Sequence, residues 1–330
     1  MTATASPQQP APPPQVGVIG AGGWGRNLIG NLHELGALRA IADPQEANRA
    51  RMAEHYGPLP AYRDHRELLA DRQIDAVAVA TPVATHYEVV RACLEAGKDV
   101  FVEKPLTPTP AEAWALAELA EAEGRVLMVG HLLLFQPAIL WLRDFLASGA
   151  IGRVRSIHQE RLGLGRARDY ENALWCLGSH DAAVQRFLLD AAPTAVQATG
   201  QCILQPQIED DVHLHLRYPG GVESHLHCSW LWPEKRRSLV IVGTAGMVTY
   251  DELHQTVTHH RKGIDERLEN RDEGAEVVYH GHGQPLRLEL EHFLEAVRER
   301  RPCRSDGRFS AAIVELLAEA TEQLRSAPAG

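Results

Sequence analysis

A glycine-rich turn near the start of the chain constrains the fold more than any other segment. It follows the apolar run Val16–Gly20 and leads into a helical pattern, Trp24–Leu35. Glycines in the order GxGxxG between a strand and a helix permit a tight turn, a close approach to a pyrophosphate and close helix–strand packing. The helix N-terminus also offers free N–H groups to an anion. The pattern predicts a phosphate-binding turn formed by Gly20, Gly22, Gly23, Trp24 and Gly25.

The second apolar run, Arg39–Asp43, ends in an acid. An acid at this place accepts hydrogen bonds from the ribose hydroxyls of NAD and repels the 2′-phosphate of NADP. The residues that follow Asp43 are Pro44, Gln45 and Glu46, so no arginine stands beside it to bind that phosphate. Asp43 therefore predicts NAD as the cofactor.

Short apolar runs alternate with longer helical patterns over the first 130 residues. The runs are Val16–Gly20, Arg39–Asp43, Ala76–Thr81, Asp99–Glu103 and Arg125–Gly130. The helical patterns are Trp24–Leu35, Pro44–Tyr56, Arg63–Asp71, Thr85–Ala96 and Thr109–Glu123. Nearly continuous apolar runs are typical of parallel strands that are covered on both faces. We predict a doubly wound α/β domain, a Rossmann fold, over residues 15–130.

The pattern changes after a further helix, Phe135–Ala147, because polar and apolar residues now alternate. The alternating runs are Arg153–Leu162, Ala195–Leu204, Val212–Tyr218, Val222–Trp230, Ser238–Val242 and Met247–Tyr250. Helices are predicted at Asn172–Leu188, Leu286–Arg300 and Ser310–Ser326. Alternation of this kind is typical of an antiparallel sheet with one open face. Residues 131–330 are therefore predicted to form an α+β domain with a large, mostly antiparallel sheet that binds substrate and mediates oligomerisation.

Composition excludes several classes of partner. The chain has 330 residues, enough for two domains, and a formal net charge of -10, which disfavours nucleic acid and anionic membranes. Its five cysteines form no CxxC pair, which favours a reducing compartment, and no apolar run reaches the ~20 residues of a membrane span. The Pro- and Gln-rich segment 1–14 lacks the pattern of a signal peptide and is predicted to be a disordered tail. A cytoplasmic location is expected.

Several motifs occur in a fixed order along nearly the whole chain. They are Ala80-Thr81-Pro82-Val83-Ala84-Thr85-His86, Glu103-Lys104-Pro105, Gly130-His131, Gly149-Ala150-Ile151-Gly152-Arg153-Val154 and Gly243-Thr244-Ala245-Gly246. This set resembles the glucose–fructose oxidoreductase / inositol dehydrogenase (Gfo/Idh/MocA) family. The resemblance implies an NAD-dependent oxidoreductase acting on CH–OH groups and assembling into a homo-oligomer, a tetramer. It also implies cofactor contacts from Thr81, Pro82, His86, Glu103 and Lys104.

The same resemblance implies two catalytic residues. Lys104 matches the family lysine that reaches the reacting oxygen, and His180 matches a helical histidine of the second domain. The family's aspartate four residues earlier is replaced by Cys176, which departs from the inositol dehydrogenase type of site. The segment Glu171–Asp181 is similar to a branch that oxidises C3 of UDP-N-acetylglucosaminuronic acid. It implies substrate contacts from His131, Asn172 and Trp175.

Oxidation of an alcohol needs a base near the hydroxyl, with a pKa close to neutral. Imidazole suits this role, so His180 is expected to be the base and Lys104 to stabilise the oxyanion, although the reverse assignment is open. Arg161, Arg166 and Arg168 form a candidate clamp for substrate phosphate or carboxylate, with a solvated loop as the alternative. Rival functions are the oxidation or ketoreduction of another sugar, polyol or deoxysugar nucleotide, and NAD-bound regulation without catalysis.

Paired histidines raise the question of a metal. His213 and His215 lie on one predicted strand, and His225 and His227 on the next. If the turn at Gly220-Gly221 has two or four residues, the two pairs point to opposite faces of the sheet; a three-residue turn reverses this parity. We expect no metal site.

Overall fold

The computed structural model of the protein describes residues 12–326. Positions 1–11 of the predicted disordered tail lie outside the described residues. Within the described part, the chain divides into two compact units. The first unit comprises residues 12–102, 119–128 and 290–303, and the second comprises 103–118, 129–289 and 304–326. Each unit therefore contains a segment from late in the chain.

A six-stranded sheet has the strand order β3-β2-β1-β4-β5-β6. Its strands are β1 (Val16–Ile19), β2 (Leu38–Ala42), β3 (Ala61–Tyr62), β4 (Ala76–Val79), β5 (Asp99–Glu103) and β6 (Leu127–Gly130). The pairs β1–β2, β1–β4, β2–β3 and β4–β5 are parallel. This order is that of dinucleotide-binding sheets, which confirms the predicted Rossmann fold. The predictions omitted β3, whose two residues are too few to form a periodic pattern.

Helices follow these strands as the helical patterns predict. They are α1 (Gly25–Glu34), α2 (Glu46–Tyr56), α3 (His65–Leu69), α4 (His86–Glu95) and α5 (Pro110–Ala122). All four residues of β1 and all four of β4 are buried. Burial on both faces explains why these strands read as continuous runs of Val, Ile and Ala.

The second sheet has eight strands in the order β14-β13-β12-β11-β7-β10-β9-β8. Its strands are β7 (Val154–Leu162), β8 (Ala195–Gln201), β9 (Asp211–Tyr218), β10 (Val222–Ser229), β11 (Arg236–Gly243), β12 (Met247–Asp251), β13 (Thr256–Ile264) and β14 (Asn270–His280). Its pairs are antiparallel except β7–β10, which is parallel. The large, mostly antiparallel sheet is therefore confirmed.

Two details of this sheet differ from the predictions. Strands β13 and β14 were not predicted, because most of their residues are exposed or half-buried and no clear apolar alternation marks them. The strand predicted to continue to Leu204 ends at Gln201. Ile203 and Leu204 instead donate their backbone N–H groups to Oδ2 of Asp210, at 2.7 Å each, which ends the strand in a turn.

The remaining helices are α6 (Pro137–Ala147), α7 (Ser179–Leu189), α8 (Pro285–Glu299) and α9 (Gly307–Ser326). The single α-helix predicted over Asn172–Leu188 is wrong in its first part. Leu174–Gly178 is a turn of π-helix, and α-helical geometry begins only at Ser179. Isolated π-turns occur frequently at functional sites.

The hairpin between β9 and β10 has a three-residue turn, Pro219–Gly221. Gly220 and Gly221 both have φ of 77°, a conformation that glycine adopts without strain. Of the turn lengths that the sequence left open, the three-residue turn is therefore the one present. His213 lies opposite His227 and His215 opposite His225, so all four histidines share one face of the sheet.

No helix within residues 12–326 combines the length and the apolar character that crossing a membrane requires.

Candidate active site and cofactor loop

The glycine turn of the first unit is shaped by close backbone packing. A Cβ at Gly25 would overlap the carbonyl of Gly20, and a Cβ at Gly20 would lie 2.6 Å from the carbonyl oxygen of Ala80. By contrast, a Cβ at Gly22 or Gly23 would meet no atom within 4 Å, so the backbone of these two residues faces open space. Trp24 beside them is 44% exposed. The turn thus combines a packed side with an open backbone surface, as phosphate binding requires.

Asp43 holds this turn in place from the end of β2. Its Oδ2 accepts the N–H of Ala21 at 2.8 Å and Nδ2 of Asn48 at 3.1 Å, and its Oδ1 accepts the N–H of Gln45 at 2.8 Å. A carboxylate has about four acceptor positions, so these three bonds leave capacity for a ribose hydroxyl. The side chain predicted to select NAD therefore also supports the loop.

The turn after β4 contains the next predicted cofactor residues. His86 is buried, and its Nε2 donates to the carbonyl of Thr81 at 2.9 Å. The hydroxyl of Thr81 pairs with that of Thr85 at 2.9 Å, and Pro82 begins the single helical turn between them. His86 thus stabilises this turn by its hydrogen bond to the backbone of Thr81.

Lys104 follows directly on β5 and lies in the second unit. Its Nζ donates to the carbonyl oxygen of Cys176 at 3.1 Å. That carbonyl belongs to the π-helical turn Leu174–Gly178, which is one residue wider than an α-helical turn. Burial and the nearby Glu171 raise the pKa of the Cys176 thiol, so the position held by an acid in the resembled family carries no charge here.

Two histidines complete the cluster around Lys104. His131 is buried, and burial together with the charge of Lys104 lowers its pKa to about 3. Burial and then Lys104 lower the pKa of His180 well below its usual value. Within residues 12–326, Nδ1 of each ring is buried without a hydrogen-bond partner. The cluster therefore holds two neutral imidazoles beside one ammonium group. Among the described residues, Nδ1 of each imidazole has a hydrogen-bonding position that is not used.

Glu103 lies beside the same segment. A Cβ on Gly130 would be 3.1 Å from Oε2 of Glu103, so this carboxylate packs against the backbone next to His131. Burial and then the charge of Glu103 raise the pKa of Glu289 well above its usual value. Glu289 is thus a buried carboxyl group close to Glu103, in surroundings that favour its protonated form.

Asn172 and Trp175, both predicted to touch substrate, support the π-turn from within. Asn172 is 6% exposed; its Oδ1 accepts the N–H of Trp175 at 3.1 Å and its Nδ2 donates to Glu209 at 2.7 Å. The indole Nε1 of Trp175 donates to Oγ1 of Thr321 at 2.9 Å. Their polar groups hold the segment that carries the Cys176 carbonyl.

Arg161 is separated from the other two arginines of the predicted clamp. It is 6% exposed, its Nε lies 2.9 Å from both carboxylate oxygens of Asp181, and its NH2 group lies 2.6 Å from Glu252. Burial alone would lower the pKa of Arg161, but Asp181 and Glu252 together raise it. Its charge is thus neutralised inside the fold.

Arg166 and Arg168 lie in the loop that follows β7. Arg166 is exposed, whereas Arg168 is half-buried, with Nε at 3.8 Å from Glu171 and its guanidinium beside the Cys176 thiol. Arg168 therefore keeps positive charge near the π-turn, and Arg166 adds an exposed positive charge in the same loop. Sequence reasoning missed Asp181 and Glu252 as partners of Arg161. Asp181 follows His180 directly, but Glu252 lies 91 positions from Arg161, and no local pattern joins them.

The cofactor residues of the first unit fit NAD. The open backbone of Gly22 and Gly23 and the carboxylate of Asp43 match a pyrophosphate and a ribose diol in chemistry. NAD supplies hydride acceptance when it is bound.

Comparison with known proteins finds one family of oxidoreductases along most of the chain. Residues 15–131 match the model of the Gfo/Idh/MocA oxidoreductase family, NAD-binding Rossmann fold, and residues 139–249 match the Gfo/Idh/MocA C-terminal domain. UDP-N-acetylglucosamine 3-dehydrogenase of Acidithiobacillus ferrooxidans is 29% identical over 89% of this chain and 91% of its own. The NAD(+)-dependent scyllo-inositol 2-dehydrogenase of Bacillus subtilis is 28% identical over 85% of each chain.

Solved structures repeat the likeness. The Acidithiobacillus enzyme superposes with a TM-score of 0.84 at 26% identity and covers 94% of this chain and 98% of its own. GenD2 of gentamicin A biosynthesis, solved in complex with NAD, has a TM-score of 0.82 at 24% identity and covers 98% of both chains. At that identity the second likeness shows the fold alone.

Proposed function

Because this chain belongs to the Gfo/Idh/MocA family of NAD-binding oxidoreductases, we propose that it oxidises the C3 hydroxyl of a UDP-linked 2-acetamido sugar to the ketone. The observation that carries the proposal is the cluster of Lys104, His131 and His180. It places one ammonium group beside two neutral imidazoles with unpartnered Nδ1 atoms among the described residues.

The chemistry divides between the two ends of the C3–O bond. C3 loses a hydride, the hydroxyl loses a proton, and a C=O double bond forms. Lys104 is assigned to the oxygen, where its charge stabilises the negative charge that develops as the proton leaves. His180 is assigned as the acceptor of that proton, because its lowered pKa keeps the imidazole neutral at pH 7. His131 is assigned to orienting the sugar.

The nucleotide part of the substrate is supported by the likeness to UDP-N-acetylglucosamine 3-dehydrogenase. Arg166 and Arg168 are assigned to the diphosphate, since guanidinium groups bind phosphate oxygens bidentately. Arg161 is not assigned to the diphosphate, because its guanidinium group already bonds to Asp181 and Glu252.

The uronic acid of the same sugar, UDP-N-acetylglucosaminuronic acid, is a second candidate. The exposed Arg166 and the half-buried Arg168 both lie in one loop, and either one can pair with a sugar carboxylate while the other holds phosphate. Loss of Arg161 from the clamp removes one of three predicted positive charges and favours the uncharged sugar.

Purified protein is mixed with NAD and with each of three substrates: UDP-N-acetylglucosamine, UDP-N-acetylglucosaminuronic acid and myo-inositol. Absorbance of reduced nicotinamide reports turnover, and a parallel sample with 2-oxoglutarate detects a cofactor that stays bound and is recycled by this acceptor. Reduction of the product with borodeuteride places the label at the oxidised carbon. We expect turnover of a UDP-sugar with label at C3.

Variants connect the turnover to the assigned residues. Lys104→Met and His180→Gln should each lower kcat by about 10²- to 10⁴-fold, the usual range for removing such a group. Arg166→Ala and Arg168→Ala should raise KM for the UDP-sugar, whereas Arg217→Ala, an exposed arginine of β9, should leave KM unchanged. Turnover of myo-inositol alone, or full activity in Lys104→Met, would contradict the proposal.

A further inference from the structure

One part of the open face of the second sheet carries five neighbouring histidines, which we call the histidine face: His158, His213, His215, His225 and His227. They come from three neighbouring strands, β7, β10 and β9. Residues that alternate with them on β9 and β10, such as Val212, Leu214 and Leu226, are fully or almost fully buried. The buried side chains fix the register, so the backbone beneath the histidine face cannot slip without exposing the core.

The five rings form two rows across the strands. In one row, His215 lies opposite His225, which lies beside His158. In the other row His213 lies opposite His227, and Asp211 comes two residues before His213 on the same face. Only the second row contains a carboxylate bonded to its rings.

The second row brings three potential ligand atoms together. One ligand atom each from Asp211, His213 and His227 lie within 4.8 Å of one another. Nε2 of His227 is 3.1 Å from both carboxylate oxygens of Asp211, and Nε2 of His213 is 3.6 Å from Oδ1. The side chains are 19%, 51% and 15% exposed for Asp211, His213 and His227. The group is thus partly shielded and still open to solvent on one side.

We propose that Asp211, His213 and His227 form a binding site for a divalent transition metal ion of the Zn²⁺ class. Two imidazoles and one carboxylate are a ligand set suited to Zn²⁺, with bonds of about 2.0–2.2 Å to nitrogen and oxygen. Ligand atoms less than 4.8 Å apart can surround one such ion, and water fills the open side. All three ligands stand on paired strands, which hold a site more firmly than a loop does.

Metal binding requires one small movement. The rings of His213 and His227 are stacked, with centroids 3.9 Å apart and planes 15° from parallel, so their nitrogen lone pairs lie in nearly parallel planes. Rotation of His213 about its Cβ–Cγ bond turns its Nε2 toward the ion. His213 is half exposed, and this rotation displaces no buried side chain. The ring of His227 also packs perpendicular to the indole ring of Trp232, with centroids 5.3 Å apart.

The neighbouring row lacks these properties. Nδ1 of His215 and Nδ1 of His225 are only 2.7 Å apart and are bonded to each other. His158 stacks on His225 with centroids 4.8 Å apart. This row therefore provides a matched control: histidines on the same face, of the same sheet, without a carboxylate.

The test titrates the metal-free full-length protein with Co²⁺, whose visible absorption reports coordination, and then displaces Co²⁺ with Zn²⁺. The variants are Asp211→Asn, His213→Ala and the control His158→Ala, each checked for native circular dichroism. We expect one Co²⁺ per chain, displaced by one Zn²⁺. Asp211→Asn and His213→Ala should each weaken Zn²⁺ binding by about 100-fold or more, since loss of an outer partner alone costs 10- to 100-fold. His158→Ala should bind as the parent does.

Three results would overturn the proposal. The first is no saturable Co²⁺ spectrum in the parent protein. The second is binding that Asp211→Asn and His213→Ala leave unchanged, which would mark adventitious binding. The third is binding lost in His158→Ala and kept in His213→Ala, which would place the ion in the other row. None of these readouts depends on turnover, so failure here is distinct from failure of the proposed function.

Discussion

The second unit contains two groups of histidines that differ in their charged neighbours and in their hydrogen-bond partners. His131 and His180 lie beside Lys104, their pKa values are lowered first by burial, and each keeps an Nδ1 without a partner among the described residues. The rings of the histidine face are partly exposed; His215 and His225 bond to each other, and His227 bonds to Asp211. Environment, and not residue identity, separates the two groups.

The difference shows how one side chain serves two kinds of chemistry. A buried neutral imidazole beside a positive charge has unused hydrogen-bonding capacity that a substrate can satisfy. An exposed imidazole next to a carboxylate and a second imidazole already directs its hydrogen-bonding nitrogen atoms at these neighbours. Such a set of groups is also a typical set of metal ligands. The buried group depends on the fold around it, and the exposed group depends on the register of three neighbouring strands.

The largest effect on stability is expected from the ion pairs behind the buried group. Arg161→Met leaves Asp181, which is fully buried, without its charged partner. Removing one member of a buried pair costs about 3–5 kcal/mol, so urea unfolding should show a loss of that size. The matched control is Arg217→Met, because Arg217 forms an exposed pair with Glu223 on the same sheet and should cost less than about 1 kcal/mol.

The Arg161→Met variant also tests whether Arg161 binds the substrate or only stabilises the fold. If Arg161 acts only inside the fold, folded Arg161→Met protein should keep its KM for the UDP-sugar. If KM rises as much as in Arg168→Ala, Arg161 binds the substrate.

Local patterns in the sequence predicted the first unit closely and the second less well. Strand β5 was predicted to the residue at Asp99–Glu103, because a buried parallel strand is a continuous apolar run between charged boundaries. The glycine turn was predicted because the GxGxxG spacing between a strand and a helix is a pattern within a few consecutive residues. Such features depend on neighbours in the sequence, and a sequence displays them.

The features that were missed depend on partners distant in sequence or on one extra residue. The bonds from Arg161 to Asp181 and Glu252 join β7, α7 and the turn after β12, which no short stretch of sequence contains. The π-turn at Leu174–Gly178 adds one residue to a helical pattern without changing which residues are apolar. The turn at Pro219–Gly221 has three residues, and its parity alone decided whether four histidines share a face.

An effect of similar size, but confined to acidic pH, is expected in the pH dependence of stability. His131 has a pKa of about 3 in the folded protein and near 6.5 when unfolded. The unfolded chain therefore binds more protons between these values, so the free energy of unfolding should fall as pH falls from about 6.5 and be flat above it. The part due to His131 is on the order of 4 kcal/mol by pH 3.

Urea unfolding at a series of pH values checks this dependence. His131→Gln should flatten the slope between pH 6 and pH 4 relative to the parent, since the imidazole that resists protonation is gone. His282→Gln, at an exposed position, removes no buried imidazole and should leave the slope unchanged. An equal slope in the parent and in His131→Gln would contradict the assignment of a buried, neutral His131.

The smallest effect is expected on the histidine face. His215 and His225 are bonded at 2.7 Å but lie largely in solvent, and cross-strand pairs of this kind contribute about 0.2–1 kcal/mol. A double-mutant cycle with His215→Ala and His225→Ala should give a coupling energy in that range, measured by urea unfolding at pH 8. Turnover of the UDP-sugar should be unchanged in both variants. A coupling above about 2 kcal/mol would mean that this row is shielded from water as the buried group is, and the contrast between the two groups would then fail.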